Sequence, residues 1–211
     1  MSSNLPKREH YQKGYDTLER FISYYYQIAE VAETGAKRVL EVGCGNKTFY
    51  TLMKNKDVDI ISIDVNKSLE PDIVGDVRKM PFKNEEFDVV TAFQVLEHLP
   101  FREFEKALKE LKRVSKNKVI ISLPYSSMNI DIVKSISLPF IKKRLRLKIS
   151  MPYFFVKIKI DQKNKEHYWE MGRKGYPKRN IKNLLKKHFN IEKEFSPALN
   201  SYHYFFVLSK K

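Results

Sequence analysis

The chain predicts an α/β fold on a mostly parallel sheet, and three stretches carry that expectation. RVLEVGCGNK, Arg38 to Lys47, reads as a short buried strand running into a tight glycine turn and then a helix starting near Thr48. Two glycines one residue apart after an apolar strand let the backbone turn sharply and let a ligand approach without meeting a Cβ. DIISIDV is a second apolar strand, and Asp64 closes it twenty-one positions after Gly43. A carboxylate there is placed to accept both ribose hydroxyls of an adenosine. Near the other end, FNIEKEF and SYHYFFVL are strands separated only by a few residues around Ser196, Pro197 and Asn200, which requires an antiparallel hairpin.

The first turn argues against a dinucleotide. The GxGxxG fingerprint needs a glycine at Thr48, and the acidic Glu41 before the turn suits a cationic ligand better than a diphosphate. Together with the stretches downstream of it, EVGCGN resembles the first motif of the class I S-adenosylmethionine-dependent methyltransferases, type 11 branch. That motif is usually written E/DxGxGxG, and its third glycine is Lys47 here. The resemblance runs from about Val39 to Pro124. It implies a Rossmann-like sheet of seven strands, mostly parallel with the last antiparallel, helices on both faces, and S-adenosylmethionine as cofactor. The residues it assigns to the cofactor are Glu41, Gly43, Gly45, Asp64, Asp76, Val77 and Gln94. Asp76 in GDVRKMPF would meet the adenine amino group with Val77 beside the ring, while the local alternative is a turn-capping aspartate.

A chain of 211 residues fits one domain, 1–211, with room for a full core. No apolar run approaches the roughly 20 residues that span a bilayer, so a soluble protein is expected. With one cysteine, Cys44, and no leader pattern, the cytoplasm is the expected compartment. The net charge of +15 is uneven, with ten Lys or Arg against Asp131 and Asp161 between Ser126 and Lys165. An anionic neighbour is expected there.

Taken in order, residues 1–35 form an N-terminal helical cover. Leu18, Phe21, Ile22, Tyr25, Ile28, Ala29 and Ala32 recur at helical spacing and are expected to face inward, with Gly35 ending the helix. The tyrosines Tyr24, Tyr25 and Tyr26 are read as packing against the sheet, with a pocket lining as the alternative. After the second strand, NKSLEP is too short for a full crossover helix before the third strand, DIVGDV. FDVVTAFQVLEHLP supplies the fourth strand and its exit, where Glu97 and His98 form a pair able to move a proton near neutral pH. A helix from Glu103, a fifth strand KVIISLP and a helix from Lys178 to His188 lead to the closing hairpin.

Residues 126–176 are a basic insertion after the fifth strand, where the resembling family builds its substrate lid. IVKSISLPFIKKRL is read as helix on either side of Pro139, and FVKIKI as a strand. The insertion suits an anionic membrane surface, an RNA backbone, or a plain lid with a solvated basic face. In KEHYWEMGRKGYP, His167 or Glu170 is a candidate general base; the structural alternative has Trp169 plugging the lid and Glu170 pairing with Arg173 or Lys174. Small-RNA 2′-O-methyltransferases resemble the fourth motif but carry two acids and a histidine on magnesium. Gln94 replaces the first acid here, so no metal is expected. The function expected is methyl transfer to an oxygen or nitrogen of a small-molecule or lipid-like acceptor, by a cytoplasmic protein or one peripheral at the membrane. The alternatives are an RNA-modifying methyltransferase and a non-catalytic binding protein acting through the insertion.

Overall fold

A computed structural model describes residues 8–12, 14–138, 141–152 and 167–211. Seven strands form one sheet: β1 (Arg38–Val42), β2 (Asp59–Asp64), β3 (Ile73–Val74), β4 (Phe87–Phe93), β5 (Ser115–Pro124), β8 (Phe189–Phe195) and β9 (His203–Lys210). Their order is β3-β2-β1-β4-β5-β9-β8. β1 to β5 pair in parallel, whereas β9 slots in antiparallel to both of its neighbours. The order reverses between β1 and β4, so the loops leaving these two strands diverge and open a crevice at their C-terminal ends. The candidate site lies there.

Successive strand residues face opposite ways, and the sheet core divides accordingly. Val39, Val89, Ile120 and Val207 pack with Val31 of α1 (Leu18–Ala32) and with Phe49 and Met53 of α2 (Thr48–Lys54). Their neighbours Leu40, Val90, Val119 and Leu208 pack on the other face with Leu108 and Leu111 of α3 (Phe101–Val114) and Ile181 and Leu185 of α4 (Lys178–His188). Helices therefore cover both faces, as expected. The short connection before β3 is a single 3-10 turn, Lys67–Leu69, and β3 is trimmed to two residues.

Two expectations are corrected. The inward face of α1 is its polar one. Ser23, Tyr24, Gln27, Glu30 and Val31 are buried, whereas Leu18, Phe21 and Tyr25 are exposed. Partners across the fold satisfy two of these buried polar groups, Ser23 and Glu30: Ser23 Oγ lies 2.7 Å from His203 Nδ1, Asn200 donates to Ser23 Oγ at 2.8 Å, and Lys193 pairs with Glu30 at 2.6 Å. Of the three tyrosines, Tyr24 donates to Asp16 and lines the crevice, Tyr26 packs on Phe195, and Tyr25 is exposed.

The insertion holds the second correction. It begins with two 12-residue strands, β6 (Ser127–Leu138) and β7 (Ile141–Pro152), paired antiparallel in a ribbon, where helix was expected around Pro139. Alternating β-branched residues such as Ile130 and Ile132 favour a pleated surface over a helix. The register sets Ile130 opposite Ile149 and Ile132 opposite Leu147, so these four exposed side chains share one face. Lys148, on the other face, bonds Ser196 beside the closing hairpin. The expected strand FVKIKI lies outside the described residues.

Candidate active site

The crevice holds a cavity of about 400 Å³, and every residue assigned above to the cofactor lines it: Glu41, Gly43, Gly45, Asp64, Asp76, Val77 and Gln94. They arrive from the ends of β1, β2, β3 and β4, as a parallel sheet with a switch point dictates. Gly43 has φ +81°, and a Cβ there would lie 2.3 Å from Val95 Cγ2, so the loop after β4 presses directly on the first turn. Lys47 takes φ 62° at the head of α2. That left-handed conformation explains why the family pattern places a glycine at this position.

Glu41 is 4% exposed, and its Oε2 has no hydrogen-bond partner among the described residues. Burial pushes its pKa well above the usual carboxylate range, with Asp64 and Asp72 adding to the effect. A buried carboxylate without a donor, opening on a cavity, fits a cationic ligand group. Asp64 accepts the backbone N–H of Cys44 at 3.1 Å and of Asn66 at 2.8 Å, so it also ties the glycine turn to β2. Burial raises its pKa against the pull of those donors. Asp76 is forked by Arg78, whose Nε and Nη2 reach its two oxygens at 2.9 and 2.5 Å, and these bonds hold its pKa below the ordinary value. Gln94 sits at φ 55°, costly for a residue with a side chain, and is held there by bonds of its N–H and its side-chain amide to Ser122. Cys44 is buried beside Asp64, and burial pushes its thiol up to about 12.

At the far rim the candidates for proton transfer come together. His98 lines the cavity. The His167 ring packs edge-on against it, centroids 4.9 Å apart. The chain around His167 is pinned to the β4 exit: Tyr168 N–H donates to Glu97 O at 2.9 Å, and Trp169 Nε1 donates to Leu99 O at 3.0 Å. Trp169 is buried against Phe101, Phe104 and Tyr176. Glu170 stands behind His167, away from the cavity, accepting from Arg173 at 2.7 Å, Tyr202 at 3.2 Å and Ser126, with His167 Nδ1 at 3.0 Å. Burial opposes its ionisation, but the bonds from His167 and Ser126 and the Arg173 charge outweigh that and hold it down to about 2. It orients His167 and is a poor proton acceptor at neutral pH.

Three features go beyond the sequence reading, which named Glu97 beside His98 but not its burial. Glu97 is fully buried, neither carboxylate oxygen has a hydrogen-bond partner among the described residues, and burial, opposed by His167, pushes it up to about 7. Tyr15 and Arg20, stacked cation on ring at 3.6 Å, line the cavity from the N-terminal segment. His203, also lining it, is driven down to about 3 by burial, with Arg20 adding, and is neutral. The run of tyrosines was a visible signal for the N-terminal wall; nothing in the linear sequence marked His203.

The geometry agrees with what the chain is similar to. Residues 40–123 match the family described as "Methyltransferase domain". An uncharacterised protein of Methanocaldococcus jannaschii is 38% identical over 38% of this chain and 36% of its own length. A ubiquinone biosynthesis O-methyltransferase of Hahella chejuensis is 32% identical over 35% of this chain and 37% of its own length. The matched part is thus little more than a third of either relative. In fold, the chain is similar to magnesium protoporphyrin IX methyltransferase from Synechocystis, solved with bound S-adenosylmethionine, with TM-score 0.62 at 13% identity over 97% of this chain and 90% of that one. No described helix is long and apolar enough to cross a membrane. Residues 40–123 are thus similar to the methyltransferase domain family, and the fold around them is similar to that of a solved methyltransferase.

Proposed function

We propose that the chain transfers a methyl group from S-adenosylmethionine to an oxygen or nitrogen of a small-molecule or lipid-like acceptor. The observation that carries this reading is the orphaned Glu41 carboxylate on a cavity lined by all seven expected cofactor residues. Bound there, S-adenosylmethionine supplies an electrophilic methyl on a sulfonium, and positioning an acceptor in line with it supplies much of the rate. Glu41 neutralises the cationic end. Asp64, turned by its two backbone bonds, offers its remaining lone pairs to ribose hydroxyls, and Val77 and the Asp76–Arg78 fork flank the base.

On the acceptor side, His98 touches the cavity and His167 stands behind it, so His98 is the group placed to relieve an acceptor hydroxyl or amine of its proton. The lipid-like class is supported by the exposed apolar face of the β6–β7 ribbon, which begins three residues past the end of β5, and by Leu18, Phe21 and Tyr25 on α1. The basic composition of the insertion suits an anionic group on such an acceptor, or an anionic membrane that holds it.

Calorimetric titration with S-adenosylmethionine and S-adenosylhomocysteine tests the cofactor half, beside Glu41→Gln and Asp64→Ala. Micromolar binding that both variants weaken is expected; no heat with either ligand would end the enzyme reading. Labelled methyl transfer into fractionated lipid, small-molecule and RNA pools tests the acceptor. Label confined to RNA would replace the proposed class with a nucleic acid.

A further inference from the structure

On the acceptor side of the cavity, three side chains with ligating atoms converge. An oxygen of Glu97 and a ring nitrogen each of His98 and His167 all lie within 4.8 Å of one another. Glu97 is 0% exposed, and neither of its oxygens has a hydrogen-bond partner among the described residues. A carboxylate in that position is costly unless a proton or a cation joins it.

The closest facing group is His167 Nε2, 4.0 Å from Glu97 Oε1. That distance is too long for a shared proton, which needs about 3 Å between heavy atoms. The other ring nitrogen of His167, Nδ1, faces Glu170 Oε1 at 3.0 Å, and the second oxygen of Glu170 pairs with Arg173 at 2.7 Å. In the neutral ring, Nδ1 therefore carries the hydrogen and Nε2 presents a lone pair towards Glu97. A carboxylate hydrogen-bonded to the far nitrogen of an imidazole is the arrangement that orients histidines on metals. The backbone bond from Tyr168 to Glu97 and the indole bond of Trp169 to Leu99 fix the position of this ring relative to the β4 exit.

We infer that Glu97, His98 and His167 form a binding site for one divalent cation, with Glu170 positioning His167 from behind. Two imidazoles and one carboxylate favour an ion of borderline character, Fe²⁺, Co²⁺ or Zn²⁺, over Mg²⁺, which prefers oxygen ligands. Metal–ligand bonds of about 2.1 Å draw the three atoms closer than they stand here, to roughly 3–3.5 Å apart. His98 is the member on the cavity wall. Gln94 removes an acid from the linear motif, but the fold brings in His167, which the motif does not contain. Because three protein ligands leave positions open and His98 faces the cavity, the ion would polarise an acceptor oxygen there, in place of direct proton transfer to the His98 ring. That consequence rests on the methyl-transfer reading; the binding site does not.

The test uses full-length, tag-free protein stripped with chelator, titrated with Mn²⁺, Co²⁺, Zn²⁺ and Mg²⁺ without S-adenosylmethionine. Stoichiometry is read by elemental analysis, and coordination by the visible spectrum of the Co²⁺ form. One equivalent of a borderline ion is expected, with Mg²⁺ weaker. Glu97→Gln, which keeps shape and loses charge, and His98→Ala, on the cavity wall, should each weaken binding at least tenfold. Glu170→Gln should weaken it less and alter the Co²⁺ spectrum. No saturable uptake of any of the four ions, or uptake that neither Glu97→Gln nor His98→Ala affects, overturns the site. Cofactor titration of the same stripped protein reports separately on the methyltransferase reading.

Discussion

The two walls of the cavity are built in different ways. The cofactor wall draws on strand ends between Glu41 and Gln94, each placed by the parallel sheet and by a turn immediately after it. The acceptor wall is assembled from remote pieces: Glu97 and His98 after β4, Ser126 after β5, His167 to Arg173 beyond the ribbon, and Tyr202 and His203 in the closing hairpin. Backbone geometry defines the first wall, and side-chain bonds across long sequence separations define the second. Damage to one wall should therefore leave the other working.

The largest expected effect is on the acceptor wall. Trp169→Ala removes a buried indole from between Phe101, Phe104 and Tyr176 and leaves Leu99 O without its donor. A loss of about 3–5 kcal/mol is expected by chemical denaturation. If the walls are independent, the folded variant still binds S-adenosylhomocysteine but loses methyl transfer. Equal loss of both would show that Trp169 supports the whole cavity. Gly43→Ala is the counterpart. A side chain at φ +81° that meets Val95 Cγ2 should cost about 2–4 kcal/mol. It should abolish cofactor binding, and the near-ultraviolet signal of Trp169 should stay native.

This difference also decides what the sequence discloses. RVLEVGCGNK and DIISIDV contain strand, turn and carboxylate within a single run, so β1, β2, Gly43 and Asp64 were legible, as was the hairpin that forces β9 antiparallel. The face of α1 was misread because helical periodicity reports where apolar residues recur. It does not report that Ser23 would find His203 and Asn200, and Glu30 would find Lys193, across the fold. β6 and β7 were misread because Pro139 was taken to break a helix, whereas the alternation of Ile130 and Ile132 with polar residues is the period of a strand. Glu97 looked like half of a proton-transfer pair, but its burial depends on a chain segment that rejoins the core far along the sequence.

His203 offers a smaller test, because it belongs to the acceptor wall yet touches α1. Burial holds its imidazole neutral down to about 3, against an ordinary value of 6.5. Between those values the unfolded chain binds a proton that the fold excludes, so stability contributed by His203 rises with pH across the window and is fully present above it. The slope is at most about 1.4 kcal/mol per pH unit. Paired carboxylates such as Asp76 and Glu170 act lower, but Glu97, pushed up to about 7, and Glu41 act within the same interval with the opposite sign, so the histidine is read from the difference between two slopes. Between about pH 4.5 and 6.5, denaturation midpoints of His203→Gln should rise less with pH, or fall more, than those of the parent. Parallel slopes would mean that water reaches the ring and that α1 does not seal the cavity.

The smallest effect bears on the cofactor wall. Arg78 and Asp76 are each about a third exposed, at 35% and 33%, so solvent screens their ion pair. Arg78→Ala should cost less than about 1 kcal/mol. Its value lies in the binding assay. Asp76 is expected to meet an adenine amino group, but its two oxygens are occupied by the Arg78 fork. Removing the fork frees an acceptor, and S-adenosylhomocysteine affinity should rise by less than about tenfold, since one exposed hydrogen bond contributes about 1 kcal/mol. A fall of the same size would place Arg78 itself against the cofactor and reduce Asp76 to its support, so this edge of the wall would depend on side-chain pairing, as the acceptor wall does.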